Sequence, residues 1–288
     1  MISFGREVCT NLEKALQREW LETDGLGGFA MGTIVGANTR RYHGLLVAAT
    51  EPPVGRRVLV AKVEDRLLAD GAVVELSCNE YEGAVHPQGH LCQEEFRLDP
   101  WPVCTWAQDG VRLRRSLFMP HRLGLTVLRY DLLDAPQPAW LHCRPLVAGR
   151  DMHHLQRSGG GLDPHLDLSA HRLAMQPYDP ASRLALEFPG GEFRPDGLWY
   201  YNFRYAREQE RGLDYLEDLY SPGEVVWLLR PGETVWLVLS RDAVGAVTDR
   251  AGCEALMAAE RHRRDAVGAV TDRAGCEALM AAERHRRD

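Results

Sequence analysis

The sequence predicts an all-β protein, a large antiparallel β-sandwich with a helical C-terminal tail. Three observations carry this. Short apolar runs recur between residues 40 and 240 at the spacing of strands. Asp70-Gly71, Asp109-Gly110 and Pro231-Gly232 stand between such runs, and Asp-Gly is a hairpin signal because both residues tolerate positive φ. No helical period interrupts the runs. They are too numerous for a small immunoglobulin-like domain, so two large packed sheets fit best.

Taken in order, residues 11–20 read as a short helix or an extended lead-in. Residues 20–47 form a glycine-punctuated stretch that ends in the apolar run Leu45-Leu46-Val47. Residues 57–77 read as a hairpin about Asp70-Gly71, and 103–118 repeat the pattern about Asp109-Gly110. Residues 125–133 and 140–147 are longer strands. Gly159-Gly160-Gly161 marks a loop and no domain boundary, since strand signals continue on both sides. Strands at 184–188, 199–205, 225–229 and 235–239 complete the set, the last two flanking Arg230-Pro231-Gly232-Glu233. In the aromatic strand, alternation places Trp199, Tyr201, Phe203 and Tyr205 on one face, read as core. Tyr200, Asn202 and Arg204 fall on the other, as a surface for carbohydrate or a second domain.

The sandwich is expected over 1–241 and a helical linker over 242–264. There Thr248 or Asp249 caps a helix whose apolar stripe is Cys253, Leu256 and Met257. Residues 265–287 repeat 242–264 without a change. Solenoid repeats diverge, and roughly three are needed to bury a shared core. Residues 265–288 are therefore read as a duplication of the linker and not as architecture, carrying a second stripe at Cys276, Leu279 and Met280.

Composition excludes several classes. The chain has 288 residues, 45% hydrophobic and 26% charged, as in ordinary globular proteins. A net charge of −7 argues against a general nucleic-acid binder. No apolar run is long enough to cross a membrane, and the charged N-terminus is no signal peptide. Seven scattered cysteines without a CxxC pair indicate neither zinc nor a redox motif and suit reduced thiols in the cytoplasm. No cofactor is expected.

Asp24-Gly25-Leu26-Gly27-Gly28-Phe29 and then Ala37-Asn38-Thr39-Arg40-Arg41-Tyr42-His43-Gly44 combine glycine hinges with Asn, Arg, Tyr and His. Those side chains can bond hydroxyls and offer rings for stacking, so the loop is a candidate rim for a polar ligand. The competing reading is a tight, well-bonded turn between two strands. Two further strings are as unusual, Arg144-Pro145-Leu146-Val147-Ala148-Gly149-Arg150-Asp151-Met152-His153-His154 and the segment from Trp199-Tyr200-Tyr201-Asn202-Phe203 through Glu208-Gln209-Glu210-Arg211-Gly212-Leu213-Asp214-Tyr215 to Ser221-Pro222-Gly223. With the opening stretch, in this order, they resemble the N-terminal domain of bacterial and archaeal glycogen debranching enzymes of the amylo-α-1,6-glucosidase type. The resemblance implies a supersandwich similar to galactose-mutarotase-like folds. It implies that catalytic acids come from a C-terminal α/α-barrel, which is then the partner of this domain, and that the substrate is glycogen or a branched α-glucan.

Glycoside hydrolysis needs two opposed carboxyl groups. Asp151, Glu208, Glu210, Asp214, Glu217 and Asp218 are available, but the sequence pairs no two of them. With the acids assigned to the barrel, the 208–218 segment reads as structural, paired with Arg207 and Arg211. The substrate-binding candidates are Asn38, Arg40, Tyr42 and His43, then Arg150, Asp151 and His153. His153 and His154, if on a strand, face opposite sides. His86 and His90 have metal-like spacing, but Pro87 and Gly89 oppose a helix there, so no metal site is expected. The chain is thus expected to be non-catalytic alone. The alternatives are a free-standing glycan-binding module and a mutarotase or epimerase using a histidine acid and a glutamate base.

Overall fold

A computed structural model describes residues 2–242 and 249–271, with side chains to residue 267. Two antiparallel sheets face one another. The first has nine strands in the spatial order Ile2–Gly5, Gln93–Leu98, Pro102–Gln108, Val111–Phe118, Leu125–Asp134, Thr234–Ser240, Leu184–Glu187, Arg172–Met175 and Asp167–Ser169. The second runs Glu192–Arg204, Leu216–Leu229, Ala139–Asp151, Val54–Ala69, Gly44–Glu51, Phe29–Thr33 and Glu19–Thr23, with Ala72–Glu75 added beside Val54–Ala69. Cys78–Tyr81 and Ala84–Gln88 form a separate two-stranded ribbon. The expected all-β sandwich is therefore the observed architecture.

The inner core is built from alternate residues of both sheets, among them Leu67, Leu113, Tyr130, Leu141 and Leu237. Each such side chain contributes about 1.5–3 kcal/mol by leaving water. Both sheets are also covered outside, so their long strands read as apolar runs and not as clean alternation. On Leu125–Asp134, Leu128 and Tyr130 point inward, while Leu125 and Val127 join an outer cluster with Trp101, Phe118 and Trp236. The helix Arg250–Thr271 lies over that cluster through Cys253, Leu256 and Met257, the stripe read from the sequence. Asp249 caps it, its Oδ1 accepting from Gly252 N–H at 2.7 Å. The helix starts inside the first tail copy and runs on beyond residue 264. Residues 272–288, with Cys276, Leu279 and Met280, lie outside the described residues, as does Thr248.

The predicted turns form as their residues dictate. Asp70 and Gly71 have φ of 49° and 76°, and Asp109 and Gly110 have 52° and 77°, the conformation of primed hairpin turns. Gly232 has φ 87°, and Glu233 N–H donates to Arg230 O at 2.9 Å. The 11–20 lead-in contains one short helix, Leu12–Leu16, capped by Asn11, and enters the edge strand Glu19–Thr23; a further short helix, Arg6–Cys9, precedes it. The aromatic strand departs from expectation. Its register shifts between Tyr200 and Phe203, and Asn202 takes φ 61°. The irregularity reverses the alternation. Trp199 packs on the inner core, Phe203 and Tyr205 are buried on the outer face, and Tyr201 is 53% exposed.

Candidate functional site

The opening stretch divides into two unlike ends of one strand. Residues 24–28 lead into Phe29–Thr33, and residues 34–43 leave it. At the first end Asp24 Oδ1 accepts from the N–H groups of Leu26 at 2.7 Å and Gly28 at 2.9 Å. Gly27 has φ 99°, and a Cβ there would lie 2.5 Å from the Pro53 carbonyl oxygen. This end is a tight turn locked by its own side chain.

The second end meets the other two strings. Residues 38–43, residues 150–158 after the strand Ala139–Asp151, and residues 204–218 between Glu192–Arg204 and Leu216–Leu229 converge in one network of arginines and carboxylates. Arg41 is its hub. Its backbone N–H and Nε donate to the two oxygens of Glu208 at 3.1 and 3.0 Å. Its Nη1 donates to His153 O at 2.6 Å and its Nη2 to Asp214 O at 3.2 Å. Arg150 lies behind it, with Nε and Nη2 on Glu217 and Nη2 also donating to Arg41 O at 2.8 Å. Glu217 accepts in addition from Tyr205 Oη–H and from Gln156 N–H at 3.0 Å. Asp218 accepts from Ser158 N–H at 3.0 Å and Asn202 N–H at 2.8 Å. Arg207 N–H donates to Thr39 O at 3.0 Å, which ties the short helix Ala206–Glu210 to the loop. Beneath lies a small apolar cluster of Val47, Val58, Ala61, Leu146, Ala148, Phe203, Tyr205 and Leu219.

Glu208 and Glu217 are fully buried and Asp218 nearly so. Buried carboxylates persist only when paired and hydrogen-bonded, and each of these is. Arg150 is also buried. Burial alone would lower its affinity for a proton, but Glu217 and Tyr205 outweigh that and raise its pKa. At the loop's edge Arg40 Nε donates to Glu19 Oε1 at 2.7 Å. His43 accepts at Nδ1 from Thr39 N–H at 3.1 Å, so its proton sits on Nε2, which lies 3.2 Å from Glu19 Oε1. That contact is off the line of a hydrogen bond, since Nε2 has no hydrogen-bond partner. Burial holds the His43 pKa below its usual range. For Glu19 burial acts to raise the pKa, and the adjacent His43 ring together with the hydrogen-bonded Arg40 cation overcomes it, leaving it at about 2.

The seven residues singled out from the sequence therefore fall in one neighbourhood and divide by accessibility. Asn38, His43 and Arg150 are buried and turned inward, with Asn38 Nδ2 donating to Ala61 O at 3.1 Å. Arg40, Tyr42, Asp151 and His153 reach the surface. Tyr42 Oη lies 3.3 Å from His153 Nδ1, with the rings edge-to-face at 5.6 Å. His153 and His154 sit in a turn and not on a strand, because the strand ends at Asp151, whose Oδ1 accepts from His153 N–H at 2.8 Å. The acidic segment pairs only in part with its neighbours. Arg207 does bridge Glu210 at 2.7 Å, and Arg211 stands 3.6 Å from Glu208. The principal partners are Arg41 and Arg150. Arg41 and Tyr205 were the residues sequence reasoning passed over. Among the described residues no group of three His, Cys, Asp or Glu side chains is placed to hold a metal.

Residues 18–236 match the family model described as glycogen debranching enzyme N terminal. The chain belongs to that family. The matched span contains all three convergent strings. No curated protein matches the chain. Among solved structures it is similar to a bacterial glucoamylase complexed with acarbose, at 7% identity and a TM-score of 0.37, over 87% of this chain. The chain spans only 34% of that glucoamylase's length.

Proposed function

We propose that this glycogen debranching enzyme N-terminal domain is a non-catalytic brace for a catalytic α/α-barrel, and that its exposed loop residues rim the barrel's site for a branched α-glucan. One observation carries the reading. Every buried carboxylate where the three strings meet is neutralised by an arginine or by backbone N–H donors. A hydrolytic pair needs one carboxyl free to give a proton and another free to take one or attack, roughly 5–10 Å apart across a sugar. A network with Glu208 on Arg41, Glu217 on Arg150 and Asp218 on two N–H groups supplies rigidity instead. Around it Arg40, Tyr42, Asp151 and His153 present a cation, an aromatic ring, a carboxylate and an imidazole, groups that suit sugar hydroxyls and a sugar's apolar face.

The barrel is the expected partner, and the cytoplasm, where buried unpaired thiols stay reduced, is the expected compartment. The test is glucose release from a branched dextrin, with the chain alone and with a catalytic barrel of the same enzyme type added. Activity that needs the barrel, and that falls on Arg40→Ala or Tyr42→Ala but not on Arg230→Ala, supports the brace and rim. Unaltered activity in both rim variants removes the rim.

A further inference from the structure

The outer face of the second sheet carries another polar cleft, lined by residues the network does not use. It opens between the strands Val54–Ala69 and Ala139–Asp151 and the ribbon of Cys78–Tyr81 with Ala84–Gln88. Glu64, Glu75, His86, Tyr81, Tyr200 and Arg144 line it, and its volume is about 160 Å³. That is below the ~300–1,000 Å³ of pockets for drug-sized ligands and suits one small ring.

The framework of the cleft is fixed and internally neutral. Asp196 holds Arg144 through two bonds of 2.8 and 2.6 Å, and Ser221 Oγ accepts a third at 3.1 Å. Glu224 holds Arg66 at 2.7 Å, and Glu64 faces Lys62 at 3.0 Å while accepting from Asn79 at 3.1 Å. Against this stand groups with open valence. The Glu75 carboxylate, the His86 imidazole and the Tyr200 hydroxyl make no hydrogen bond or ion pair among the described residues. Arg144, only 6% exposed, keeps an unpartnered Nε. Partial burial raises the Glu75 carboxyl and the Tyr200 phenol above their ordinary pKa values, while His86 stands open to solvent. The Tyr81 and Tyr200 rings supply apolar walls.

The balance of charge selects the ligand. The framework pairs cancel, so Glu75 repels an anion, and no second unpaired carboxylate stands beside it to hold a cation. A neutral ring bearing several hydroxyls satisfies the set. Its hydroxyls donate to Glu75 and Glu64, accept from Tyr200 and His86, and its C–H face lies on tyrosine. We propose that this cleft is a binding subsite for one neutral pyranose, either a free hexose or the terminal unit of a glucan. It shares no residue with the rim described above and stands or falls separately.

The test is titration of the whole chain by calorimetry and ligand-observed NMR, with glucose, methyl α-glucoside, maltotetraose and inorganic phosphate as probes. Saturable sugar binding should weaken roughly fivefold, the loss of one net hydrogen bond, in Glu75→Gln and in Tyr200→Phe. It should be unchanged in Arg230→Ala, at an exposed turn outside both the cleft and the rim. The cleft variants break no internal bond, so an unchanged melting temperature confirms that they fold. Binding of all three sugars assigns a chain end, and binding of glucose alone assigns free hexose. No sugar binding, sugar binding indifferent to both cleft variants, or tighter binding of phosphate than of any sugar overturns the proposal.

Discussion

Glu217→Gln isolates what the buried network contributes. The change keeps the shape of the side chain and removes its charge. In the parent, Glu217 is fully buried and takes two donors from Arg150, one from Tyr205 and one from Gln156. The variant leaves Arg150, itself 6% exposed, as a buried cation whose other acceptors are the carbonyl oxygens of Arg41 at 2.8 Å and Asp151 at 3.3 Å. Carbonyl oxygens do not replace a counter-charge, and breaking a buried pair from one side costs about 3–5 kcal/mol. At ~2–4 °C per kcal/mol for a domain of this size class, the melting temperature should fall by roughly 6–20 °C. Arg150→Met with Glu217→Leu should recover part of the loss, because no charge remains buried. Adding Tyr205→Phe should recover more, since the double variant strands the Tyr205 hydroxyl at a cost of about 1–3 kcal/mol. Urea denaturation of the single, double and triple variants measures each step. A loss below about 1 kcal/mol in Glu217→Gln would mean that these charges are solvated, and the brace argument would fail with it.

Four other expectations follow from local features. Glu19, held at about 2 against an ordinary 4.5, stabilises the fold above pH 4.5 and loses that contribution as pH falls toward 2; Glu19→Gln should flatten the stability–pH curve in that window. His43 is held neutral by burial, so the unfolded chain takes up its proton first and stability should already decline below about pH 6.5; in the folded protein the His43 imidazole should stay neutral by NMR from pH 7 to 5, and a ring that takes up its proton there in the ordinary histidine range would contradict this. Arg264 pairs with buried Glu22 and with Glu260, and its cation lies 5.6 Å from the Trp101 ring; Arg264→Ala should speed hydrogen exchange across 250–267, and unchanged protection would show that the helix docks through its apolar stripe alone. Gly27→Ala should cost at least about 2 kcal/mol, from positive φ and the Pro53 clash together, as read by thermal melts.

Much of the fold was legible because local rules governed it. The Asp-Gly pairs at 70–71 and 109–110 fix their turns through backbone conformation alone, and Cys253, Leu256 and Met257 declare a helix face by spacing. The aromatic strand misled because alternation assumes an unbroken register. One residue, Asn202 at positive φ, moved Phe203 and Tyr205 to the opposite face from Trp199. The site was legible as a set of strings but not as a set of partners. Arg207 and Arg211 were the obvious neighbours of Glu208, whereas its strongest ligand, Arg41, lies 167 residues away. Arg150 and Glu217 are 67 residues apart. Such pairs are set by sheet order, which brings Ala139–Asp151 beside Leu216–Leu229. The inward turn of Asn38 and His43 was equally invisible, because a polar residue in a loop reads the same whether it faces a ligand or its own backbone.

The central claim is that this domain braces and rims a glucan site without supplying the acid and base. The most direct measurement is glucose released from a branched dextrin by the purified chain on its own. A site lacking its acid and base forfeits a factor of ~10²–10⁴ from proton transfer alone, so the account predicts no release above the uncatalysed background. Release by the chain alone, abolished by Asp151→Ala or Glu208→Ala, would contradict it and place a hydrolytic site within the sandwich.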